Sequence, residues 1–201
     1  MTILLAIQEA ADILSLARPN SAISSVDETS RRLVTFAHIS GDDICQLGDW
    51  SNLILSADVT AGVLPSDYLR LVTGGAVKRT APTGYQLRGP LSSDQLRAIP
   101  MFGTTTVLGY AMKGGLIVYS RALAGETIEA DYVSNGWLFN GATRVNRAVS
   151  DSNTLAFPFR LVTKGIVWRM KEQLSMSFES QKQEFIDDVN FALKQDRGVT
   201  T

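Results

Sequence analysis

The residues best suited to acid–base or nucleophilic chemistry lie together in one short stretch, HISGDDIC. His38 is the only histidine of the chain, and Cys45 is its only cysteine. If the stretch is helical, His38 and Asp42 share one face, because residues four apart are neighbours on a helix surface. Any Ser-His-Asp or Cys-His device would have to use His38. The same stretch, with Asp43 included, offers side chains that can ligate a metal ion.

The surrounding sequence favours a structural interpretation of this cluster. A closed zinc site needs four good ligands, and no CxxC or HxxxH pattern supports one here. We therefore interpret His38 as a partly buried helix residue and Cys45 as a small buried apolar residue. The sequence predicts no catalytic residue, no metal and no cofactor. A small enzyme that uses His38 as its base is the less favoured alternative.

Other patterns with chemical potential have plainer explanations. GYQLRGP carries Pro90 where a phosphate-binding loop needs lysine, and MKGGL runs into a strand, so both are predicted as β turns. A hydrolase would place paired acids in an apolar pocket that separates their pKa values. The grouped carboxylates are instead interpreted as solvated faces of a strand or a helix: Glu126, Glu129 and Asp131, and Asp187 and Asp188.

Composition indicates a folded, soluble chain of 201 residues that neither grips DNA nor crosses a membrane. Nineteen basic residues face twenty acidic ones, and the cations are scattered, whereas a duplex-binding protein gathers them on one face. A single cysteine excludes an intramolecular disulfide and indicates synthesis in a reducing compartment. The opening MTILLAIQEAADILSLARPN lacks a basic start and is interrupted by Glu9 and Asp12, so it predicts an amphipathic helix rather than a signal peptide or membrane span.

Helical spacing of apolar residues marks both ends of the chain. The first segment predicts a helix over residues 2–17. Ser25 followed by Glu28 forms a capping box, which predicts a second helix running to about Gly48, with Gly41 as a weak point inside it. Two further helices are predicted near the C-terminus from apolar stripes, the first at Leu161, Val162, Ile166, Met170 and Leu174, and the second at Phe185, Val189 and Leu193.

Between these helices the pattern changes to short apolar runs broken by Gly, Pro, Asn and Asp, which predicts strands. GLIVYSRALAGETIEADYVS is the clearest hairpin candidate, with its loop at 122–125 and with Ile128, Ala130 and Tyr132 on the packed face of its second strand. GPLSSDQLRAIP predicts a capped helical turn that starts at Ser92 or Ser93 and ends at Pro100. The predicted fold is α+β, with a helical bundle from residues 1–50 and 151–201 and an inserted antiparallel β module over 51–150.

The order of several loose motifs resembles the head-to-tail adaptor (connector, or neck) proteins of tailed bacteriophages. The motifs lie between Gly48 and Leu174: GDWSNL, LPSDYLRLVTGG, YQLRGPLSSDQLRAIP, GGLIVYSRALAGETIEADYVSNGWL and SDSNTLAFPFRLVTKGIVWRMKEQL. The resemblance implies a non-enzymatic virion protein, made in the host cytoplasm, at the junction of capsid and tail. It implies a homo-oligomeric ring, usually of twelve copies, that docks on the portal protein, extends the DNA channel and presents a surface to the next tail or neck protein.

The resemblance also implies a portal-binding segment at the C-terminus that orders on docking. In this sequence the segment consists of Lys194, Gln195, Asp196, Arg197, Gly198, Val199, Thr200 and Thr201. DNA would pass through such a ring without sequence-specific binding, in agreement with the near-neutral charge. A ring also needs two different, complementary patches on each subunit. A tail-completion or tail-terminator protein is the alternative within the same virion setting.

Overall fold

The computed structural model describes residues 1–74, 77–82, 84–102, 108–123 and 125–198, without the side chains of 100–102. The fold is α+β, and all pairings between its named strands are antiparallel. The described helices are α1 (Ile3–Ile13), α2 (Glu28–Leu47), α3 (Ser93–Phe102), α4 (Phe159–Gln173) and α5 (Glu179–Asp196). The described strands are β1 (Ile54–Asp58), β2 (Tyr68–Leu71), β3 (Val77–Ala81), β4 (Tyr85–Gln86), β5 (Tyr110–Lys113), β6 (Leu116–Tyr119), β7 (Thr127–Ser134), β8 (Leu138–Asn140), β9 (Thr143–Val145) and β10 (Thr154–Leu155).

The chain divides into two compact units. Unit 1 combines Met1–Leu53 with Asn135–Thr201, and unit 2 is the continuous segment Ile54–Ser134. The predicted β module, 51–150, begins close to the start of unit 2 but extends past its end. The difference arises because β8, β9 and β10, which were not predicted as strands, form a small sheet of their own in unit 1.

Unit 1 is built around α4, which packs against α1, α2 and α5. The apolar stripe predicted for α4 is buried, except that Leu174 lies just beyond the helix as its C-cap and is exposed. Gly165 makes the close approach to α2 possible, since a Cβ there would lie 2.6 Å from the Cβ of Ser40. The stripe predicted for α5 is buried as well, at Phe185, Val189 and Leu193.

The helix ends differ from the predicted ones in three places. Helix α1 stops at Ile13 because Ser15 takes a positive φ of 55° and the Leu16 amide turns back to the Ala11 carbonyl. Helix α2 starts after Asp27, whose carboxylate accepts from the Ser30 amide at 2.8 Å, so the predicted capping box at Ser25 is wrong. Helix α3 continues past Pro100 to residue 102.

The start of α3 follows the sequence-based expectation. The Ser92 hydroxyl accepts from the Gln95 amide at 3.2 Å, and the Gln95 side chain accepts from the Ser92 amide at 2.9 Å. These two bonds form a reciprocal cap at the helix N-terminus.

Unit 2 is organised around β7, which pairs with β1, β2 and β3. The predicted packed face of β7 is confirmed, since Ile128, Ala130 and Tyr132 are all buried. The predicted hairpin between β6 and β7 is wrong, because β6 pairs with β5 instead. Gly114 and Gly115 join those two strands with φ of 59° and 76°, and a two-residue turn with both φ positive matches the twist of a hairpin. MKGGL is therefore the β turn that the sequence predicts.

Candidate functional site

Helix α2 places His38 where its imidazole serves as a hydrogen-bond acceptor. Nε2 of His38 accepts from the Ala148 amide at 3.1 Å, and the ring lies edge-on to Trp137 with centroids 6.3 Å apart. Burial lowers the pKa of His38 below its ordinary value of 6.5, and the Arg147 guanidinium lowers it further against the opposing effect of Asp42. The imidazole is therefore neutral near pH 7, and its lone pair is already occupied by a backbone amide.

Asp42 lies on the same face of α2, as the spacing of four predicts, but it does not act on His38 as a catalytic partner. Its Oδ1 accepts from Trp137 Nε1 at 3.1 Å and from Arg147 Nη1 at 2.9 Å, and its Oδ2 accepts from Arg147 Nη2 at 2.8 Å. The two arginine bonds form a bidentate pair, the strongest geometry for this contact. Asp42 thus fixes the segment that follows β8 and β9 onto α2.

Asp43 and Cys45 belong to different environments from His38. Asp43 pairs with Arg169 of α4, and Nη1 of that buried guanidinium also donates to the Ser40 hydroxyl at 3.0 Å and to the Gly165 carbonyl at 2.9 Å. Burial lowers the pKa of Arg169, against the opposing effect of Asp43. Cys45 is buried, as predicted. Within the described part of the chain, no group of three His, Cys, Asp or Glu side chains is arranged to hold a metal ion.

The carboxylates of β7 and its approach are not all solvated. The Glu126 side chain is only 10% exposed and accepts from Arg79 Nη1 at 2.9 Å and from Arg121 Nη2 at 2.8 Å, so its assignment to a solvated face is wrong. The hydrogen bond from Arg121 lowers the pKa of Glu126, and Arg79 adds to that effect while burial opposes it. Asp131 contacts Lys78 at 3.4 Å and the Ser56 hydroxyl. These acids cross-link strands of unit 2.

The two adjacent acids of α5 have different surroundings. Asp188, with Glu184, pairs with Lys164 of α4 and so ties the two helices together. Asp187 is exposed and accepts from Gln183 Nε2 at 3.0 Å. Burial lowers the pKa of Lys164, but its bonds to Asp188 and Glu184 outweigh that effect, so the pKa is raised above its ordinary value.

The segment predicted to bind the portal begins inside α5. Lys194 and Gln195 are exposed, whereas the Asp196 carboxylate accepts from the Ser51 amide at 2.6 Å and from the Ser51 hydroxyl at 2.8 Å. Arg197 lies 3.6 Å from the Asp49 carboxylate, and Gly198 has a positive φ of 69°. Residues 194–196 thus belong to α5, with Arg197 as its C-cap, and portal binding by this segment stays a prediction. Val199, Thr200 and Thr201 lie outside the described residues.

Large apolar side chains are exposed on both units. In unit 2, Val63, Leu116 and Val118 are 59%, 48% and 39% exposed, and Val63 and Leu116 face each other across a β-bridge. In unit 1 the exposed set includes Val26, Ile39, Leu47, Val149, Leu174, Met176 and Phe191. Single exposed apolar side chains are ordinary on a folded chain, whereas a contiguous apolar patch marks a contact with another protein.

Sequence reasoning missed the residues that engage the candidate groups. Trp137 and Arg147 engage Asp42, and Arg169 engages Ser40 and Asp43. A sequence shows which residues are arginines and can bind a carboxylate through two hydrogen bonds. It does not show which carboxylate each arginine binds.

Comparison of the sequence with protein-family models and with curated proteins finds no match. Among the helices that the structure describes, none has both the length and the apolar character needed to cross a membrane. Fold and site together define an α+β protein whose best candidates for chemistry are engaged in structural contacts.

Proposed function

We propose that the chain is a structural virion protein, a head-to-tail adaptor whose copies form a ring between portal and tail. The observation that carries the proposal is the occupation of the HISGDDIC groups by Ala148, Arg147 and Arg169, combined with the exposure of apolar side chains on both units. A protein that works by binding needs such surfaces and no reactive pocket. On this proposal the chain acts without catalysis and without a cofactor.

Three further features support this function. The insertion of unit 2 between α2 and α4 agrees with the organisation implied by the resemblance, in which a β domain is inserted between flanking helices. The near-equal numbers of basic and acidic residues suit a ring through which DNA passes without being held. The exposed Lys194 and Gln195 at the end of α5 leave a polar surface for the portal.

The direct test is to image purified virions of the phage or element whose genome encodes this chain, with the chain labelled. We expect the label at the single capsid vertex that carries the tail, directly below the portal, with a labelled major capsid protein as the control for specificity. Label at the tail side of the joint would favour a tail-completion or tail-terminator protein. Absence of the chain from virions would refute the proposal.

A variant separates the structural function from the enzymatic alternative. The His38→Ala variant keeps its fold on far-UV circular dichroism and still joins capsids to tails if the chain acts by binding. Loss of joined particles with the fold intact would indicate that His38 performs chemistry.

A further inference from the structure

The N-terminal half of α2 carries an open cleft next to an unpaired cation. The cleft has a volume of about 380 Å³ and is lined by Glu28, Arg31, Arg32, Thr35, Phe36 and Gln173. Arg32 pairs with Glu28, whereas the Arg31 guanidinium makes no ion pair with any residue that the structure describes. Ile39, one turn beyond Thr35 on the same face, is 41% exposed. We call this surface, residues 28–39 of α2 with Gln173, the α2 cleft.

The outer face of α5 carries a complementary feature. Phe191 is 56% exposed, although the inner face of the same helix buries Phe185, Val189 and Leu193. Asp187 lies one turn before Phe191, so the carboxylate and the phenyl ring project from the same side of the helix. Over the described ranges of the chain, Asp187 has no cationic partner. We call this pair the α5 ridge.

The two surfaces carry opposite charges. The α5 ridge presents an aromatic ring beside an anion without an ion pair, and the α2 cleft is lined by the partly exposed Phe36 beside a cation without an ion pair. Full burial of an aromatic side chain removes about 150–250 Å² of surface from water. Because Phe191 is 56% exposed in the single copy, docking would remove about half of that area, to which the Phe36 side chain adds. Complementary charges at the edge of the contact then fix its register.

We propose that the α5 ridge of one copy docks in the α2 cleft of a second copy, with Asp187 facing Arg31. This inference rests on the proposed function, because it names the contact between neighbouring subunits of the ring. The two surfaces are different and both lie in unit 1, so each copy offers one of each. A contact between unlike surfaces repeats from copy to copy and closes into a ring when the rotation permits.

Charge reversal tests the contact between copies. Arg31→Glu places a carboxylate opposite Asp187, and Asp187→Arg places a guanidinium opposite Arg31, so each variant alone meets like charge at every contact. In an equal mixture of the two variants, the altered cleft of the Arg31→Glu variant meets the altered ridge of the Asp187→Arg variant with opposite charges. The unaltered cleft of the second variant and the unaltered ridge of the first also meet with opposite charges. We therefore expect each variant alone to self-associate at least about tenfold more weakly than the wild-type chain, and the mixture to recover association.

Sedimentation of the full chain over a rising concentration series gives the measurement. Arg160→Glu makes the same charge change at an exposed residue of α4 and is the matched control, expected to associate as the wild type does. Phe191→Ala is expected to weaken association without lowering the melting temperature, because the ring is exposed in the single copy.

Each possible result decides the question. Recovery in the mixture supports the contact, since a folding defect in one variant cannot be repaired by mixing. Association of either single variant at wild-type strength, or failure of the mixture to recover, overturns the contact. A wild-type chain that remains monomeric at the highest concentration also overturns it. None of these results removes the chain from the capsid–tail junction, which the labelled virions test separately.

Discussion

Replacing Gly41 with alanine adds a methyl group where the Trp137 indole lies against α2. A Cβ built at Gly41 lies 2.6 Å from Cδ2 of Trp137 and closer still to Cε2 and Cζ2, whereas ordinary van der Waals contact begins at 3.4 Å. Trp137 is fully buried and stacks on Phe157 with ring centroids 5.8 Å apart. The indole therefore cannot move away without disturbing its other neighbours.

Two opposing terms set the magnitude of the effect. Alanine inside a helix is more favourable than glycine by about 0.5–1 kcal/mol. Overpacking a filled core costs about 1–3 kcal/mol. Displacing the indole also strains its hydrogen bond from Nε1 to Asp42, and a bond to a charged group contributes about 1.5–3 kcal/mol. We expect the steric terms to prevail and Gly41→Ala to lower the free energy of unfolding by about 1–3 kcal/mol.

The assay is thermal and urea unfolding followed by far-UV circular dichroism, with a double-mutant cycle. For a chain of this size, a loss of about 2 kcal/mol lowers the melting temperature by about 4–8 °C. In a Trp137→Leu background the overlapping ring atoms are gone, so Gly41→Ala is expected to be neutral or stabilising there, by up to about 1 kcal/mol. A single Gly41→Ala variant at least as stable as the wild type would refute the steric explanation.

Three further predictions concern the contacts of unit 1. His38 has a lowered pKa in the folded chain, so between its ordinary pKa of 6.5 and that lowered value the unfolded chain binds a proton that the native chain does not. Over that interval, the stability measured by urea unfolding should fall with falling pH by up to about 1.4 kcal/mol per pH unit. His38→Gln retains an acceptor for the Ala148 amide and should flatten that slope, and an unchanged slope would exclude His38 as its source. Arg169→Ala leaves Asp43 and Ser40 without their buried partner. Because the Asp43 side chain is 45% exposed and regains water, the cost in urea unfolding should be about 1.5–3 kcal/mol, and a loss below about 1 kcal/mol would count against the contact. Asp151→Ala removes the acceptor of the Ser21 hydroxyl and of the Ala22 and Ile23 amides. Hydrogen exchange of those two amides should accelerate about tenfold or more, while amides in the middle of α4 keep their protection. Equal protection of the two amides in the variant would show that the carboxylate does not hold this loop.

Elements whose burial follows from their own spacing are the ones predicted well. The alternation of Ile128, Ala130 and Tyr132 identifies the packed face of β7, because side chains on a strand alternate between its two faces. The stripe of α4 is equally informative, since its apolar residues recur every three or four positions. In both cases the sequence contains the whole signal, and the partner of the element need not be known.

Strand pairing and helix ends depend on information that the local pattern does not contain. Strands β6 and β7 follow one another and both have strand-like composition, yet β6 folds back on β5 through Gly114 and Gly115. Ser25 and Asp27 are both acceptable caps for α2, and the geometry that decides between them is the bond from Ser30 to Asp27. The three strands between residues 138 and 155 are two or three residues long and were missed, because such short segments show no periodicity.

For the candidate site, the sequence identifies the polar side chains but not the partners that they contact. Asp42 and Asp43 are adjacent in sequence, but successive residues of a helix point about 100° apart, so the two carboxylates meet different arginines. Asp42 pairs with Arg147 and Asp43 with Arg169, partners that lie 105 and 126 positions along the chain. No spacing rule assigns either arginine to either acid. Because the fold alone makes these assignments, it alone determines which charges of the described residues stay without an ion pair at the surface, Arg31 and Asp187 among them.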